Sequence, residues 1–282
     1  MEIDDSQVVT EVMRHLFKSR GIDMSGYSPS FVLRSIRKRV GRSGCVNHTT
    51  YLRLLLSSDD ETNELLAALS INVTEFFRDK GAFEAWSAKV LQPLVISKGA
   101  SGGLLRIWSA GCASGQETYT LSMCVNEALK KCALGRVPMT SILGTDISAK
   151  ALAKAKSGTY TKEEVRSVPE KYLSEYFLKH GNSYEASESL RRGVRFAREN
   201  LLDPPSSKYF DAIVCRNVMI YFSRAMHEQV VMNLYYALSR DGFLMLGKTE
   251  TLMGAPRDGF DVVDLEHRIL RKKANQVGVA NA

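Results

Sequence analysis

The sequence predicts an α/β protein, in which a helix-covered parallel sheet follows an all-helical N-terminal segment. Apolar residues recur at helical spacing through residues 1–85, whereas from residue 104 short apolar runs alternate with helical patterns. Alternating strands and helices are typical of a parallel sheet covered by helices. A chain of 282 residues is long enough for each part to have its own core.

The N-terminal part is expected to consist of helices throughout. Four amphipathic segments are predicted, at 8–17, 31–40, 51–56 and 65–73. A connecting helix over 82–98 follows, and Pro93 should interrupt or kink it because proline has no N–H to donate. The glycine-rich stretch 98–103 is predicted to be a loop. We therefore place a helical domain at 1–85 and a linker helix at 86–98.

The second part, predicted at 99–275 with a frayed tail at 276–282, alternates strands and helices. Predicted strands lie at 104–108, 142–146, 194–197, 210–215, 242–247 and, closing the sheet, 262–270. Ser148 is expected to cap a helix that runs to about Ser157. Residues 158–192 break the alternation and read as an inserted subdomain, with a helix at 169–179 and a polar stretch at 182–192 that suits a hairpin.

The most informative stretch is 106–117, where a buried strand runs through small residues into a helix. Gly111 and Gly115 allow close backbone approach, and Glu117 opens the helical pattern. Such a turn is expected to present free backbone N–H groups at the carboxyl end of the sheet, where ligands bind in α/β proteins. For two glycines alone, an ordinary tight turn is an equally good interpretation.

Asp146 ends the next strand, where an acid can accept hydrogen bonds from both ribose hydroxyls of a nucleotide-like ligand or can simply cap a helix. A dinucleotide requires G-x-G-x-x-G and a P-loop requires G-K-[ST], but this turn reads G-x-x-x-G. S-adenosylmethionine carries no phosphate and tolerates a looser turn. Glu117 could bind the ammonium group of that cofactor, so the methyl donor fits better.

Two further stretches hold polar residues that are costly to bury without partners. Arg216, Asn217 and Tyr221 follow the strand at 210–215, and residues 72–79 thread polar side chains between two phenylalanines. Alternatively, Arg216 and Asn217 pin a turn while Tyr221 fills the core, and 72–79 is a helix end with core aromatics.

Composition limits the function classes. The net charge of +7 favours an acidic partner, and Arg34, Lys38 and Arg42, with Arg37 beside them, would share one stripe of a helix. That stripe is either a docking surface or a solvated helix face. The five cysteines form no C-x-x-C pair and the histidines show no ligand spacing, so we predict no metal site and reduced thiols in a cytoplasm. No apolar run approaches the ~20 residues of a membrane helix, and the acidic start is no signal peptide.

Six motifs occur in one order along nearly the whole chain. They read N-x-T-E-F-F-R-D (72–79), W-S-A-G-C-A-S-G-Q-E (108–117), G-T-D (144–146), E-N-L-L (199–202), C-R-N-V-M-I-Y-F (215–222) and G-K-T-E (247–250). Together they resemble the CheR-type chemotaxis receptor methyltransferases. The resemblance implies a Rossmann-like class I methyltransferase domain with an inserted small β-subdomain, preceded by an all-α domain. It also implies methyl transfer from S-adenosylmethionine to chemoreceptor glutamates, giving γ-methyl esters and S-adenosylhomocysteine.

The resemblance assigns roles to individual residues. The implied cofactor-binding set is Asn72, Thr74, Arg78, Gly111, Glu117, Asp146, Asn200, Leu201, Arg216 and Asn217. Asn200 and Leu201 would flank the adenine, while Arg78 and Tyr221 would face the reacting methyl and the incoming glutamate. The basic residues Arg34, Arg37, Lys38 and Arg42 match the helix that contacts the receptor, so the expected partners are acidic, helical cytoplasmic domains of methyl-accepting chemoreceptors.

The sequence departs from the family pattern in two places. The run after the turn is Q-E-T-Y-T (116–120) where the family often has E-E-P-Y-S, although Glu117 is retained. Members that bind a receptor's C-terminal pentapeptide tend to have a longer, glycine-spaced loop than the stretch 180–189, which has one glycine. We therefore do not expect pentapeptide tethering, and we expect a monomer.

Three rival functions are suggested by parts of the sequence. A nucleic-acid amino methyltransferase would need an aromatic residue after Asp203-Pro204-Pro205, but Ser206 is there, and the motif precedes the strand that it should follow. A non-catalytic cofactor-binding sensor or scaffold on a receptor array is compatible with the cofactor motifs, but it would not need Arg78 and Tyr221. A nicotinamide dehydrogenase lacks the third glycine of its fingerprint.

Overall fold

The computed structural model describes residues 3–20, 24–69, 74–132, 137–252 and 254–274. The chain forms two compact units, Met1–Ile71 with Tyr221–His227, and Asn72–Ile220 with Glu228–Ala282. The division falls earlier than the predicted domain limit at residue 85. Its physical reason is that Phe76, Phe77 and Phe83 are buried in the core of the second unit.

The described part of residues 3–69 in the first unit forms four helices, as its amphipathic pattern predicts. They are α1 (Asp5–Arg20), α2 (Pro29–Ser43), α3 (His48–Ser57) and α4 (Asp59–Leu69). Their apolar faces meet in one core, which includes Val8, Val12, Leu16, Phe31, Val32, Ile36, Tyr51, Leu55 and Leu65. The predicted fourth helix extended to residue 73, and its last part lies outside the described residues.

A buried ion pair joins α2 to α4 in this core. Arg39 donates to both carboxylate oxygens of Glu61 at 2.9 and 2.7 Å, and the two side chains are 10% and 9% exposed. Tyr51 from α3 donates its hydroxyl to the same carboxylate at 3.0 Å. Arg39 is therefore a structural residue, unlike its exposed basic neighbours on α2.

The remaining elements follow one another along the chain. They are α5 (Lys80–Trp86), a π-helical segment (Ser87–Leu91), α6 (Gln92–Ser101), β1 (Leu104–Ala110), α7 (Gln116–Lys131), β2 (Met139–Asp146), α8 (Ala149–Ser157), β3 (Thr159–Thr161), α9 (Glu170–Tyr176), β4 (Phe177–His180), β5 (Ser183–Ala186), α10 (Glu188–Arg191), β6 (Val194–Arg198), β7 (Phe210–Cys215), a 3-10 turn (Met219–Tyr221), α11 (Arg224–Ala237), β8 (Leu238–Leu246), a 3-10 turn (Ala255–Gly259), β9 (Phe260–Asp264) and β10 (Ile269–Lys272).

The connecting helix differs from its prediction at both ends. It starts at Lys80, and the expected interruption is the π-helical segment Ser87–Leu91, which ends two residues before Pro93. The ring of Pro93 clashes with the carbonyl four residues earlier, which disfavours a regular α-helix there. The predicted loop at 98–103 is wrong, because α6 continues to Ser101 and ends at Gly102. Gly102 has a φ of 65°, and the N–H of Gly103 bonds to the carbonyl of Lys98 at 2.9 Å, which closes the helix end.

A seven-stranded sheet in the order β6-β2-β1-β7-β8-β10-β9 organises the second unit. The first five strands are parallel, and β10 is antiparallel to both of its neighbours. This confirms the predicted α/β fold, although the single closing strand predicted at 262–270 is in fact two strands. The strand order reverses between β1 and β7, and ligands of open α/β sheets bind at such a switch point.

The predicted inserted β-subdomain is confirmed as a three-stranded antiparallel sheet in the order β3-β5-β4. The helix predicted at 169–179 ends at Tyr176, and residues 177–180 are a strand instead. The hairpin predicted within 182–192 is also displaced, since β4 and β5 form it and α10 follows. The two strands are joined by Gly181 and Asn182, and Gly181 has a φ of 57°.

The ion pair of the first unit gives a stability prediction. Arg39→Ala should lower the free energy of unfolding by about 3–5 kcal/mol, because it leaves the Glu61 carboxylate buried without its counter-charge. Chemical denaturation followed by circular dichroism measures the loss.

Arg37→Ala is the matched control on the same helix. Its partner is Asp5 at 2.6 Å, and both side chains are about half exposed (60% and 47%). We expect a change of about 0–1 kcal/mol. Equal losses in the two variants would contradict a special role for the buried pair.

Candidate active site

Four backbone N–H groups of the turn after β1 are occupied by the chain itself. Gly111 and Cys112 donate to the carbonyl of Thr145 at 2.8 and 2.9 Å, Ala113 donates to a carboxylate oxygen of Asp146 at 2.8 Å, and Gly115 donates to the carbonyl of Cys112 at 3.0 Å. The expectation of free N–H groups is therefore wrong for these four residues. These four N–H groups are therefore not available to a phosphate, which favours a ligand without phosphate.

Glycine at 111 is required by its surroundings. Its φ is 78°, and a Cβ there would lie 2.4 Å from Cγ2 of Val218. The turn after β1 can therefore approach the turn after β7 closely, as the switch point of the sheet requires. Gly111 thus acts through packing.

Asp146 ends β2 with both carboxylate oxygens oriented by backbone N–H groups. Oδ2 accepts from Ala113 and Oδ1 accepts from Ser148, each at 2.8 Å. The predicted cap of α8 is Ser148 itself, which accepts from the N–H of Ala151. A carboxylate has about four acceptor positions, so Asp146 can still accept two hydroxyl hydrogen bonds from a ligand.

Glu117 places a second carboxylate at the start of α7. The side chain is partly accessible but densely surrounded by protein, and this desolvation raises its pKa to about 7. The guanidinium groups of Arg216 and Arg78 and the hydroxyl of Ser109, which donates at 2.8 Å, lower the pKa, whereas Glu250 raises it further. A cationic ligand group would stabilise the ionised form of Glu117.

Arg216, expected to bind the cofactor, contacts the chain through both Nη atoms, whereas its buried Nε has no hydrogen-bond partner among the described residues. Its side chain is 2% exposed, Nη1 donates to the carbonyl of Arg78 at 2.9 Å, and Nη2 forms an ion pair with Asp79. The guanidinium also lies over the ring of Phe83, 5.2 Å from its centroid. These contacts make Arg216 a residue that positions the 78–79 segment.

Asn217 has an unsatisfied polar atom in this region. Its backbone is left-handed, with a φ of 60°. Its side-chain Oδ1 is buried and has no hydrogen-bond partner among the described residues. Because buried polar atoms are normally paired, this oxygen is an acceptor available to a ligand donor.

Glu250 belongs to the G-K-T-E motif (247–250), for which the sequence alone indicated no role. It is 2% exposed, and its carboxylate accepts backbone N–H groups from Asn217, Val218, Met219 and Gly247 at 2.7–3.0 Å. The sequence signal that could have identified this residue is a glutamate three residues after the glycine that follows a buried strand.

The segment 74–79 is held by its two phenylalanines. Phe76 packs edge-on against Tyr160 and Phe177 of the insertion, with ring centroids 5.0 and 5.4 Å apart. Phe77 has a φ of 52°, and its N–H donates to the hydroxyl of Thr120 at 3.1 Å. Thr74 and Arg78 flank these anchors and are half-buried, whereas Asn72 lies outside the described residues.

Tyr160 also reaches the turn after β1. Its hydroxyl donates to the carbonyl of Ser114 at 2.8 Å. The inserted subdomain thus contacts both the 74–79 segment and the glycine turn.

The turn at 200–203 is fixed from two sides. Asn200 accepts the N–H of Leu202 at 3.2 Å, and Asn233 of α11 donates to the carbonyls of Leu201 and Asp203 at 2.9 and 3.0 Å. Asn233 is buried, and its role had no sequence signal because a single polar residue on a helix is unremarkable. Asn200 and Leu201 are half-buried.

The remaining predicted residues belong to the first compact unit. Tyr221 ends the 3-10 turn Met219–Tyr221, and the placement of its side chain lies outside what the structure describes. Arg34, Lys38 and Arg42 are exposed on α2, as is Arg37, which pairs with Asp5.

No group of three or more histidine, cysteine, aspartate or glutamate side chains is arranged to hold a metal ion in the part of the chain that the structure describes. Within the same residues, no helix combines the length and the apolar character needed to cross a membrane.

In the second unit Asp146 ends β2, Glu117 lies in the first turn of α7 after β1, and Asn217 follows β7, on either side of the switch point. Two carboxylates and an amide oxygen can bind ligand hydroxyls and a ligand cation. This set fits a nucleoside with a cationic amino-acid group, and the occupied N–H groups disfavour a phosphate.

Comparisons with known proteins agree with this reading. Residues 72–269 match the family model described as "CheR methyltransferase, SAM binding domain", and residues 9–70 match "CheR methyltransferase, all-alpha domain". The chemotaxis protein methyltransferase of Borreliella burgdorferi is 32% identical, over 87% of this chain and 88% of that protein. Chemotaxis protein methyltransferase 1 of Pseudomonas aeruginosa is 32% identical, over 90% and 93%.

A third relative is longer. The uncharacterized 104.1 kDa protein in the hypE 3′ region of Rhodobacter capsulatus is 33% identical over 95% of this chain, which spans 28% of that protein's length. The two family models together match most of the sequence. The chain therefore belongs to the CheR methyltransferase family.

Proposed function

We propose that this protein transfers a methyl group from S-adenosylmethionine to glutamate side chains of chemoreceptors, forming γ-methyl esters and S-adenosylhomocysteine. The observation that carries the proposal is the Glu117 carboxylate, with a pKa of about 7, in one site with Asp146 and the unpartnered Oδ1 of Asn217. Family membership and the names of the relatives support the reaction class and the chemoreceptor substrate.

The cofactor-binding roles follow from the chemistry of each side chain. Asp146 would accept both ribose hydroxyls, Glu117 would bind the ammonium, and Oδ1 of Asn217 would accept a donor of the cofactor. Thr74, Asn200 and Leu201 are proposed to complete the site, the last two beside the adenine, and Asn72 is proposed on family resemblance alone.

When bound, the cofactor would supply a methyl group on a positively charged sulfur. A glutamate acceptor with a pKa of about 4.3 is ionised at neutral pH, so the site does not have to provide a general base. The chain's task is then to orient the groups and to exclude water, and orientation alone can contribute roughly 7–11 kcal/mol. Arg78 and Tyr221 are proposed to face the reacting groups, and Arg216 holds the Arg78 segment.

Receptor docking is proposed for the exposed basic residues of α2. Arg34, Lys38 and Arg42 share one face, and they would attract an acidic, helical receptor surface. Arg37 contributes less, since Asp5 already neutralises part of its charge. A pentapeptide tether is not part of the proposal, because β4 and β5 are joined by two residues only.

The reaction class can be tested by transfer of radiolabelled methyl from S-adenosylmethionine to cytoplasmic receptor fragments. We expect protein-bound label that is released by mild base, as carboxyl methyl esters are. Arg78→Ala should lower the transfer rate by about tenfold or more, because orientation of the acceptor is lost. Cofactor binding without any label on receptors would instead favour a sensor or scaffold.

Cofactor binding should depend on pH through Glu117. Below a pH of about 7 the carboxylate is protonated and neutral, so affinity should rise with pH through this value and level off above it. Between pH of about 6 and about 8 the ionised fraction changes about tenfold, and affinity should follow. Isothermal titration calorimetry with S-adenosylhomocysteine measures the affinity at each pH. The Glu117→Gln variant should bind weakly, and its affinity should show no step near pH 7. A step that persists in this variant would assign the titration to another group.

Docking can be separated from catalysis by charge reversal. The double variant Arg34→Glu, Lys38→Glu should raise the KM for receptor about tenfold and leave cofactor affinity unchanged, with a smaller effect at high salt. Lys18→Glu with Arg53→Glu is the matched control, because both residues are exposed on other helices of the same unit and the net charge changes equally. Equal KM increases in both would indicate attraction by net charge alone.

A further inference from the structure

We propose that Glu250 is a positioning residue that holds the turn after β7 in its ligand-binding shape, and that Gly247 provides the clearance for it. The inference rests on the proposed function, since it concerns how Asn217 is presented to the cofactor. It assigns a role to the G-K-T-E motif (247–250).

The carboxylate of Glu250 occupies a cluster of backbone N–H groups of the kind that binds anions. Oε2 accepts from Asn217 and Gly247 at 2.8 and 2.7 Å, and Oε1 accepts from Val218 and Met219 at 3.0 and 2.8 Å. Three successive N–H groups that converge on one anion form a nest. Because Glu250 already fills this nest, the turn has no capacity left for the carboxylate of a ligand.

The nest fixes the conformation that matters for Asn217. A φ of 60° is uncommon outside glycine, and the contacts of three consecutive N–H groups stabilise it. In this conformation the backbone of Asn217 faces Glu250, while its Oδ1 remains unpartnered within the described residues. Glu250 therefore acts on the ligand through Asn217.

Gly247 makes the approach of the carboxylate possible. A Cβ at this position would lie 2.6 Å from Oε2 of Glu250 and 2.9 Å from the backbone nitrogen of Asn217. The first contact could be relieved by moving the glutamate, but the second involves backbone. An alanine would thus displace either the carboxylate or the turn.

Glu250 also has an electrostatic effect that a packing residue would lack. Burial has the largest effect on the pKa of Glu117 and raises it, and the negative charge of Glu250 raises it further. Arg216, Ser109 and Arg78 lower the same pKa. The buried thiols of Cys112 and Cys215 lie nearby and their pKa is raised, so they stay neutral. Removing the charge of Glu250 should therefore lower the pKa of Glu117.

The test compares three variants by titration with S-adenosylhomocysteine across pH, with circular dichroism to verify folding. Glu250→Gln places an amide N–H₂ against backbone donors, so we expect about tenfold weaker binding at high pH and a pH step displaced to lower pH. Gly247→Ala keeps the charge and should show the weaker binding without that displacement.

Asp211→Asn is the control for a merely structural role. Asp211 is buried at the start of β7, where it accepts the N–H of Arg106 at 2.9 Å and pairs with Lys98 at 2.7 Å. Its loss should lower stability and leave affinity and the pH step as in the wild type.

Folded Glu250→Gln and Gly247→Ala proteins with wild-type affinity and pH step would overturn the proposal. If Glu250→Gln fails to fold, the affinity of Gly247→Ala decides by the same criterion. A wild-type protein that binds no S-adenosylhomocysteine would refute the proposed function instead, so the two failures are distinguishable.

Discussion

Backbone N–H groups that emerge where parallel strands end must find acceptors, and this constraint determines the candidate site. Here the acceptors are supplied by the chain. Thr145 and Asp146 satisfy the turn after β1, and Glu250 satisfies the turn after β7. Since these turns are closed on themselves, a ligand meets side-chain oxygens and finds few backbone donors. This is the reverse of a phosphate-binding turn, in which backbone N–H groups remain open for the ligand.

The polar groups of the site divide into those that build it and those that remain for a ligand. Both Nη atoms of Arg216 and both carboxylate oxygens of Glu250 are engaged with backbone or with Asp79, so these residues shape neighbouring segments. The side-chain oxygen of Asn217 has no partner among the described residues, Glu117 accepts one hydrogen bond from Ser109, and Asp146 keeps acceptor capacity. The second group is acidic or acceptor-only, which suits a ligand that brings a cation and several donors.

Much of the fold could be predicted from the sequence, because the alternation of apolar runs and helical patterns is a local signal. The site was predictable only as a set of positions. The role of Arg216 depends on Asp79, and that of Glu250 on three N–H groups some thirty residues earlier, and no local pattern reports such pairings. Local signals also failed where tertiary context outweighed them. At 98–103 the glycines predicted a loop, but Gly102 ends a helix. At 177–180 the pattern predicted a helix, but pairing with β5 makes these residues a strand.

The contacts of Tyr160 and Phe76 limit how the inserted subdomain can be altered. Tyr160 bonds to the glycine turn, and Phe76 is wedged between Tyr160 and Phe177. An enzyme shortened by excising the insertion would lose the aromatic seat of the 74–79 segment and a tie on the turn after β1. The subdomain therefore supports two segments of the candidate site, and exchanges between relatives should move it together with residues 74–79.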